Sequence, residues 1–253
     1  MKKNIFISII VATYNSESTV QDTIDSLLSQ TYTNFEVIVQ DGESSDDTIN
    51  IVRSYKDNRL KLFVEKDNGI YDAMNKGIHN ATGDIIGILN SDDFYADNEV
   101  LQDVVQLFDS ENIEAVYADL RYVQPIDTTK IVRNWKAGEM SDRKWINGWM
   151  PPHPTFFVRR VVYEKYGTFN LSLKTSADYE LMLRLLYKKK INCGYIPRCI
   201  VNMRTGGQSN LNIKNRLKAN KEDKKAWFIN DINSKWYTIY LKPIRKIRQY
   251  LLK

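Results

Sequence analysis

The chain of 253 residues is 43% hydrophobic and 26% charged, enough for a sizeable core in one large α/β domain, and no low-complexity tract points to disorder. Its longest apolar run, Ile5 to Ala12, is interrupted by Ser8, falls far short of the roughly 20 residues a membrane span needs, and leads into Thr13, Tyr14 and Asn15 without a small-residue cleavage site. Neither a spanning helix nor a signal peptide is expected, which points to the cytoplasm. The formal charge of +5 is local: Lys242, Arg245, Lys246, Arg248 and Lys253 carry the whole excess of 36 basic over 31 acidic residues.

In chain order, short β-rich runs alternate with helical patterns, the signature of βαβ units feeding a mainly parallel sheet. The expected strands are Ile5–Val11, Phe35–Gln40, Leu60–Val64, Asp84–Leu89 and Ala115–Tyr122. Val20, Ile24, Leu27 and Leu28 fall on one face of a helix, which Ser18 and Gln21 would open as a capping box. Ser45 is placed to cap a helix over 46–55. Gly69 opens a further helical segment carrying Tyr71, Asp72, Met74 and Asn75, which Gly77 would end.

From about residue 125 the pattern weakens, and Trp135, Trp145 and Trp149 sit among Gly, Pro and Lys, as in irregular loops. Helical spacing resumes over Asp178–Leu186. Cys193 and Cys199 lack metal-type spacing and read as packing residues. In the tail, Tyr237, Tyr240, Ile244, Ile247 and Leu251 recur at three- and four-residue steps beside the basic residues. That segment fits an anionic membrane surface, or a terminal helix packed on the domain or on a second copy of the chain. No basic, aromatic face outside the tail suggests nucleic acid.

Three of the runs end in polar clusters: "TYN" (13–15), "QDGES" (40–44) and "NSDD" (90–93). In an open parallel sheet ligands collect beyond the carboxyl ends of the strands, so these clusters imply one shared cleft. Asn90, Asp92 and Asp93 offer the oxygen ligands that Mg²⁺ or Mn²⁺ prefer, with substrate phosphates and water completing the shell. They would equally suit a turn, with Asp93 capping the helix beginning near Asn98. Asp41 suits the polar edge of a base or ribose, or is a turn aspartate before Gly42.

The stretch from "SIIVATYNSESTV" through "FEVIVQDGESSDDT" to "NGIYDAMNKGIHNATGDIIGILNSDD", followed by "HPTFFVRR" (153–160) and "SADYELMLRL" (176–185), resembles the inverting family 2 glycosyltransferases of bacterial surface-polysaccharide type. The resemblance implies an α/β GT-A fold, with a Rossmann-like, mainly parallel sheet flanked by helices. It also implies a division into residues 1–125, which bind the nucleotide sugar, and 126–210, which receive the acceptor. A basic helical extension would follow over 211–253.

Residue by residue, it implies that Thr13 and Asn15 line the nucleotide pocket, that Asp41 contacts the base, and that Asp72 and Asn75 face the donor. In the acidic signature Asp92 takes the metal role, with Asn90 in place of the commoner Asp and Ser91 between them. The general base falls on Asp178; Glu180, two residues on, points elsewhere. His153 would touch the acceptor or a phosphate, and Arg204, with Gly206, Gly207 and Ser209, would form a loop closing on the diphosphate.

The implied reaction moves a sugar from a nucleotide-diphosphate donor to a hydroxyl of a glycan or lipid-linked acceptor, on the inner face of a membrane, in O-antigen or capsule synthesis. Two other readings use the same cleft. A nucleotidyltransferase would need Gly or a basic residue in the first strand loop, which "ATYNSEST" lacks. A sugar-nucleotide-binding scaffold without turnover would tolerate Asn90, but has no need of Asp178.

Overall fold

The computed structural model describes residues 4–109, 112–206, 213–235, 237, 238 and 241. Its centre is a sheet of nine strands ordered β3-β2-β1-β4-β8-β6-β9-β5, with β7 paired to β6. Strands β1 (Ile7–Thr13), β2 (Phe35–Asp41), β3 (Leu60–Val64) and β4 (Ile85–Asn90) are mutually parallel. Every residue of β1 and of β2 is buried, which is why both read as apolar runs without strict alternation.

The two faces of β1 serve different layers. Ile7, Ile9 and Val11 join the core under α1 (Val20–Leu28) and α4 (Val100–Phe108). Ile10 packs on the other side with Ala73, Met74 and Ile78 of α3 (Ile70–Asn80). Helix α3 runs through Gly77 instead of ending there. A Cβ at that position would lie 2.4 Å from Cγ2 of Ile10, so glycine serves the close approach of helix to sheet. Gly69, at φ 116°, does open the helix in a backbone conformation that favours glycine.

Beyond β4 the chain direction changes. β5 (Phe94–Tyr95) is antiparallel to β9 (Cys193–Arg204). β8 (Phe157–Arg159) lies antiparallel between β4 and β6 (Ala115–Val123), while β9 runs parallel to β6 and β7 (Ile131–Trp135) antiparallel to it.

Several local expectations are corrected. Helix α1 is not opened by a Ser18–Gln21 box; its first free N–H groups, of Thr19 and Val20, bond to the Ser16 carbonyl. Helix α2 starts at Thr48 and ends at Ser54, and Asp46, not Ser45, accepts from the Thr48 N–H. Asp93 is fully buried and caps nothing, since α4 begins at Val100.

The region after 125 is also more ordered than its sequence pattern suggests. It contains β7, the short helices α5 (Asp142–Ile146) and α6 (Arg160–Tyr166), and a single 3₁₀ turn over His153–Thr155. Trp145 and Trp149 are buried and meet edge to face at 5.3 Å, with Tyr179 6.1 Å from Trp145. An aromatic core, made by residues with no common period, holds this half together.

Helix α7 (Ala177–Met182) continues into a wider turn of π-helix over Leu183–Lys188. It packs against α8 (Ile213–Ile229), where the indole of Trp227 donates to the Tyr179 hydroxyl at 2.8 Å. Cys193 packs against the same core, as expected. Of the tail pattern, Tyr240, Ile244, Ile247 and Leu251 and the basic residues from 242 onward lie outside the described residues, as do Gly207 and Ser209.

Candidate active site

The carboxyl ends of β1, β2 and β4 are adjacent because their strands are, and side chains tie their loops together. Asp41, fully buried, accepts from Thr13 Oγ1 at 2.7 Å and from both the N–H and the hydroxyl of Ser44 at 2.7 Å. Three donors satisfy a carboxylate that burial would otherwise penalise. Asp41 and Thr13 therefore brace this corner.

Asn15 is exposed, in the left-handed region at φ 49°, and its side-chain oxygen accepts from the Ser45 N–H at 2.9 Å. Ser16 and Ser91 share a hydroxyl contact at 2.8 Å, which links the loop after β1 to the one after β4.

The "NSDD" turn follows directly on β4. The Asn90 amide donates to Asp93 Oδ2 at 3.0 Å, and the Arg204 N–H approaches Asp93 Oδ1 at 3.3 Å. Burial and the neighbouring charge of Asp92 push the Asp93 carboxyl well up. Asp92 is half-buried, and burial raises its carboxyl, opposed by a main-chain hydrogen bond and by the charges of Arg204 and His153.

Arg204 differs from expectation. It is the last residue of β9, is 7% exposed, and is no part of a glycine-rich loop. Its guanidinium donates to the Asp92 carbonyl at 2.8 Å, pairs with Asp22, and lies 4.9 Å from the centre of the Phe94 ring. It holds the acidic turn through the Asp92 carbonyl.

Asp178 stands in the first turn of α7. Tyr71 donates to its Oδ1 at 2.9 Å, and His153 Nδ1 lies 3.4 Å from its Oδ2. Burial and the charge of Asp178 push the Tyr71 phenol far above its usual range, so it stays a donor. Burial lowers His153, against the pull of the charges of Asp178 and then Asp92. Glu180 points away and pairs with Arg184 at 2.9 Å.

The remaining expected donor residues fare differently. Asp72 accepts from the N–H and the side-chain amide of Asn68, at 2.9 and 3.1 Å. Asn75 does not face the cleft freely: its amide gives and takes one hydrogen bond with the main chain of Phe169, each 2.9 Å. Tyr71 stands in the same segment, but nothing in its local sequence signals a bond across 107 residues.

Solved structures share this architecture. TarS 1–349 from S. aureus superposes with a TM-score of 0.68 at 20% identity, covering 98% of this chain and 71% of that one. The mannosyltransferase PcManGT from Pyrobaculum calidifontis, solved with GDP-Man and Mn²⁺, gives 0.66 at 20% identity, over 97% of this chain and 69% of its own. The likeness defines the GT-A fold of glycosyltransferases.

The model of glycosyl transferase family 2 matches residues 8–167, and the chain belongs to that family. Among relatives, the Escherichia coli enzyme WfgD, a UDP-Glc:α-D-GlcNAc-diphosphoundecaprenol β-1,3-glucosyltransferase, is 30% identical over 209 residues, 75% of this chain and 74% of WfgD. A PGL/p-HBAD biosynthesis glycosyltransferase of Mycobacterium bovis is 28% identical over 80% of this chain and 78% of its own. Two uncharacterized Rickettsia glycosyltransferases are longer, and the chain spans 31% and 61% of their length.

Proposed function

We propose that this glycosyltransferase moves a sugar, with inversion, from a nucleotide-diphosphate donor to a hydroxyl of a glycan or lipid-linked acceptor. The observation that carries the reading is the Asp178 carboxylate, which accepts from the Tyr71 hydroxyl at 2.9 Å and lies 3.4 Å from His153 Nδ1, in a turn packed on the strand that ends at Asn90. A base would then stand near an acidic strand end.

Asp178, held by Tyr71, takes the proton of the acceptor hydroxyl as its oxygen bonds to the anomeric carbon. The bond from that carbon to the diphosphate breaks in the same displacement, and the diphosphate leaves with the bonding pair. Thr13, Asn15, Asp41 and Ser91 shape the pocket for the nucleotide, while Asp72 and Asn75 support the donor side through their loops.

A divalent cation, Mn²⁺ or Mg²⁺, would neutralise the leaving diphosphate. Asp92, with Asn90 beside it, would hold it. Among the described residues no three His, Cys, Asp or Glu side chains converge on one point. That donor set suits a cation that takes most of its oxygens from phosphates and water. PcManGT, with GDP-Man and Mn²⁺, supports this use of a cation.

The acceptor class follows the relative WfgD, whose name states a diphosphoundecaprenol-linked sugar. The reading includes O-antigen or capsule synthesis at the inner face of a bacterial membrane, with the basic tail touching the lipid surface and residues 211–253 as an extension. No described helix is long and apolar enough to cross a membrane.

The test is nucleotide release from UDP-, GDP- and dTDP-sugars with and without Mn²⁺ or Mg²⁺, alongside donor binding. Metal-dependent release or binding for one donor, with Asp92→Ala abolishing it and Asp178→Asn sparing binding but not transfer, supports the assignment. Metal-independent behaviour on the whole panel removes Asp92 from its role, and no binding of any donor overturns the reading.

A further inference from the structure

The family match ends at residue 167, yet the chain still has to deliver Asp178. We propose that Glu222, on α8, is a positioning residue for the transfer, holding the loop that leads into Asp178 so that its carboxylate meets the acceptor hydroxyl. The proposal rests on the transferase reading above.

Glu222 Oε2 accepts from the N–H of Lys174 at 2.9 Å, the N–H of Thr175 at 2.7 Å and the hydroxyl of Thr175 at 2.9 Å. Two successive main-chain N–H groups thus bond one carboxylate oxygen from another helix, just before α7 starts. Ser176, the residue at the N-terminal boundary of α7, makes no side-chain cap of its own and leans instead on the Ala219 carbonyl at 3.3 Å. Hydrogen bonds with an ionised partner are roughly twice as strong as neutral ones, and Glu222 makes three of them to this loop where Lys225 makes one, to the Ser172 carbonyl at 3.2 Å.

The loop is held at its two other ends from α3. Asn75 clips Phe169, and Tyr71 bonds Asp178. Between those two points the chain runs over 170–177, and Glu222 grips its second half. Leu173 is buried in the core, while Leu171 is 43% exposed. Without Glu222, the main-chain N–H groups of Lys174 and Thr175 would lose their shared acceptor, and the path into Asp178 would rest on Leu173 and the single bonds of Ser172 and Ser176. A displacement of the base of about 1 Å is enough to cost on the order of a hundredfold in rate.

The experiment uses the full chain and compares Glu222→Ala and Glu222→Gln with Asn230→Ala. The last removes a different contact, just past the end of α8, the bond from Asn230 to Glu180 at 2.9 Å, and controls for lost helix packing. Donor Kd is measured by calorimetry, Tm by thermal unfolding, and kcat for transfer separately from the acceptor KM. The expected result is a fall in kcat of about tenfold or more for Glu222→Ala, a smaller fall for Glu222→Gln, and donor Kd within about twofold of the unaltered protein. Asn230→Ala should lower Tm while leaving kcat nearly unchanged.

If both Glu222 variants keep their kcat, or lose no more of it than Asn230→Ala at an equal loss of Tm, Glu222 is only a packing residue and the proposal is overturned. A parallel loss of donor binding overturns it as well. If the unaltered protein binds no nucleotide sugar, the transferase reading itself fails, an outcome distinct from the other two.

Discussion

Tyr71 and Asp178 lie 107 residues apart in sequence and meet through a hydrogen bond of 2.9 Å from phenol to carboxylate. The same ring stacks on Phe169 at 5.4 Å, so its position is set by packing and its hydroxyl is free to serve the carboxylate. Helix α3 thereby holds the carboxylate of a residue on α7.

Replacing Tyr71 by Phe keeps the stack and removes only the donor. A hydrogen bond to a charged group is worth about 1.5–3 kcal/mol, so kcat should fall by roughly 10- to 100-fold. Donor Kd, measured by calorimetry, should not change. An unchanged kcat would mean that the phenol plays no part in holding the base.

Arg204 gives a second prediction. Its planar fork reaches the Asp92 carbonyl and Asp22 together while its face covers Phe94, a combination an ammonium group does not reproduce. Arg204→Lys should weaken Mn²⁺-dependent donor binding by about tenfold, equivalent to about 1.4 kcal/mol, and lower Tm. Calorimetry with and without Mn²⁺ separates the two effects, and intact metal-dependent binding would show that Asp92 needs no support from β9.

A third prediction concerns acid stability. Burial works to raise the Glu36 carboxyl, but the Lys61 ammonium, the Ser8 hydroxyl and the Thr82 N–H and hydroxyl together hold it below its usual value. The folded state therefore holds this proton less tightly than the unfolded chain. Its stabilisation is present above the unfolded carboxylate range, near pH 4.3, and is lost as pH falls through the lower folded value. Glu36→Gln should lower Tm at pH 7 and flatten the fall of Tm between about pH 5 and pH 3. A slope equal to that of the unaltered protein would place the acid sensitivity elsewhere.

Much of the first half of the fold was legible in the sequence, because β1 and β2 are buried on both faces and their turns carry Gly and Asx residues. Strand β9 was not. Its run "CGYIPRCIVNMR" contains Pro197 at the point where the pairing jumps from Ala118–Ile196 to Asp119–Cys199. Proline cannot donate to a ladder and is tolerated at such an irregularity, so the residue that argues against a strand marks its bulge. Strand β8, three residues long, is too short to show a period.

The site divides in the same way. Asp92 and Asp178 stand out because motifs of a few residues carry them, whereas Glu222 and Tyr71 act across 47 and 107 residues, where no local spacing speaks. Asn75 and Arg204 were visible as polar residues in the right segments, but their partners, Phe169 and Asp92, are tertiary.

Strand β8 joins β4 through only three register pairs, from Ile85–Arg159 to Gly87–Phe157, and runs against it. Because of that reversal the chain enters β8 at the end of the sheet where β4 leaves, which is how His153 arrives beside an acidic turn made sixty residues earlier. Had β8 been parallel, its entrance would have opened on the opposite rim. The reversal therefore lets one short antiparallel strand carry two distant segments of the chain to the same rim of the sheet.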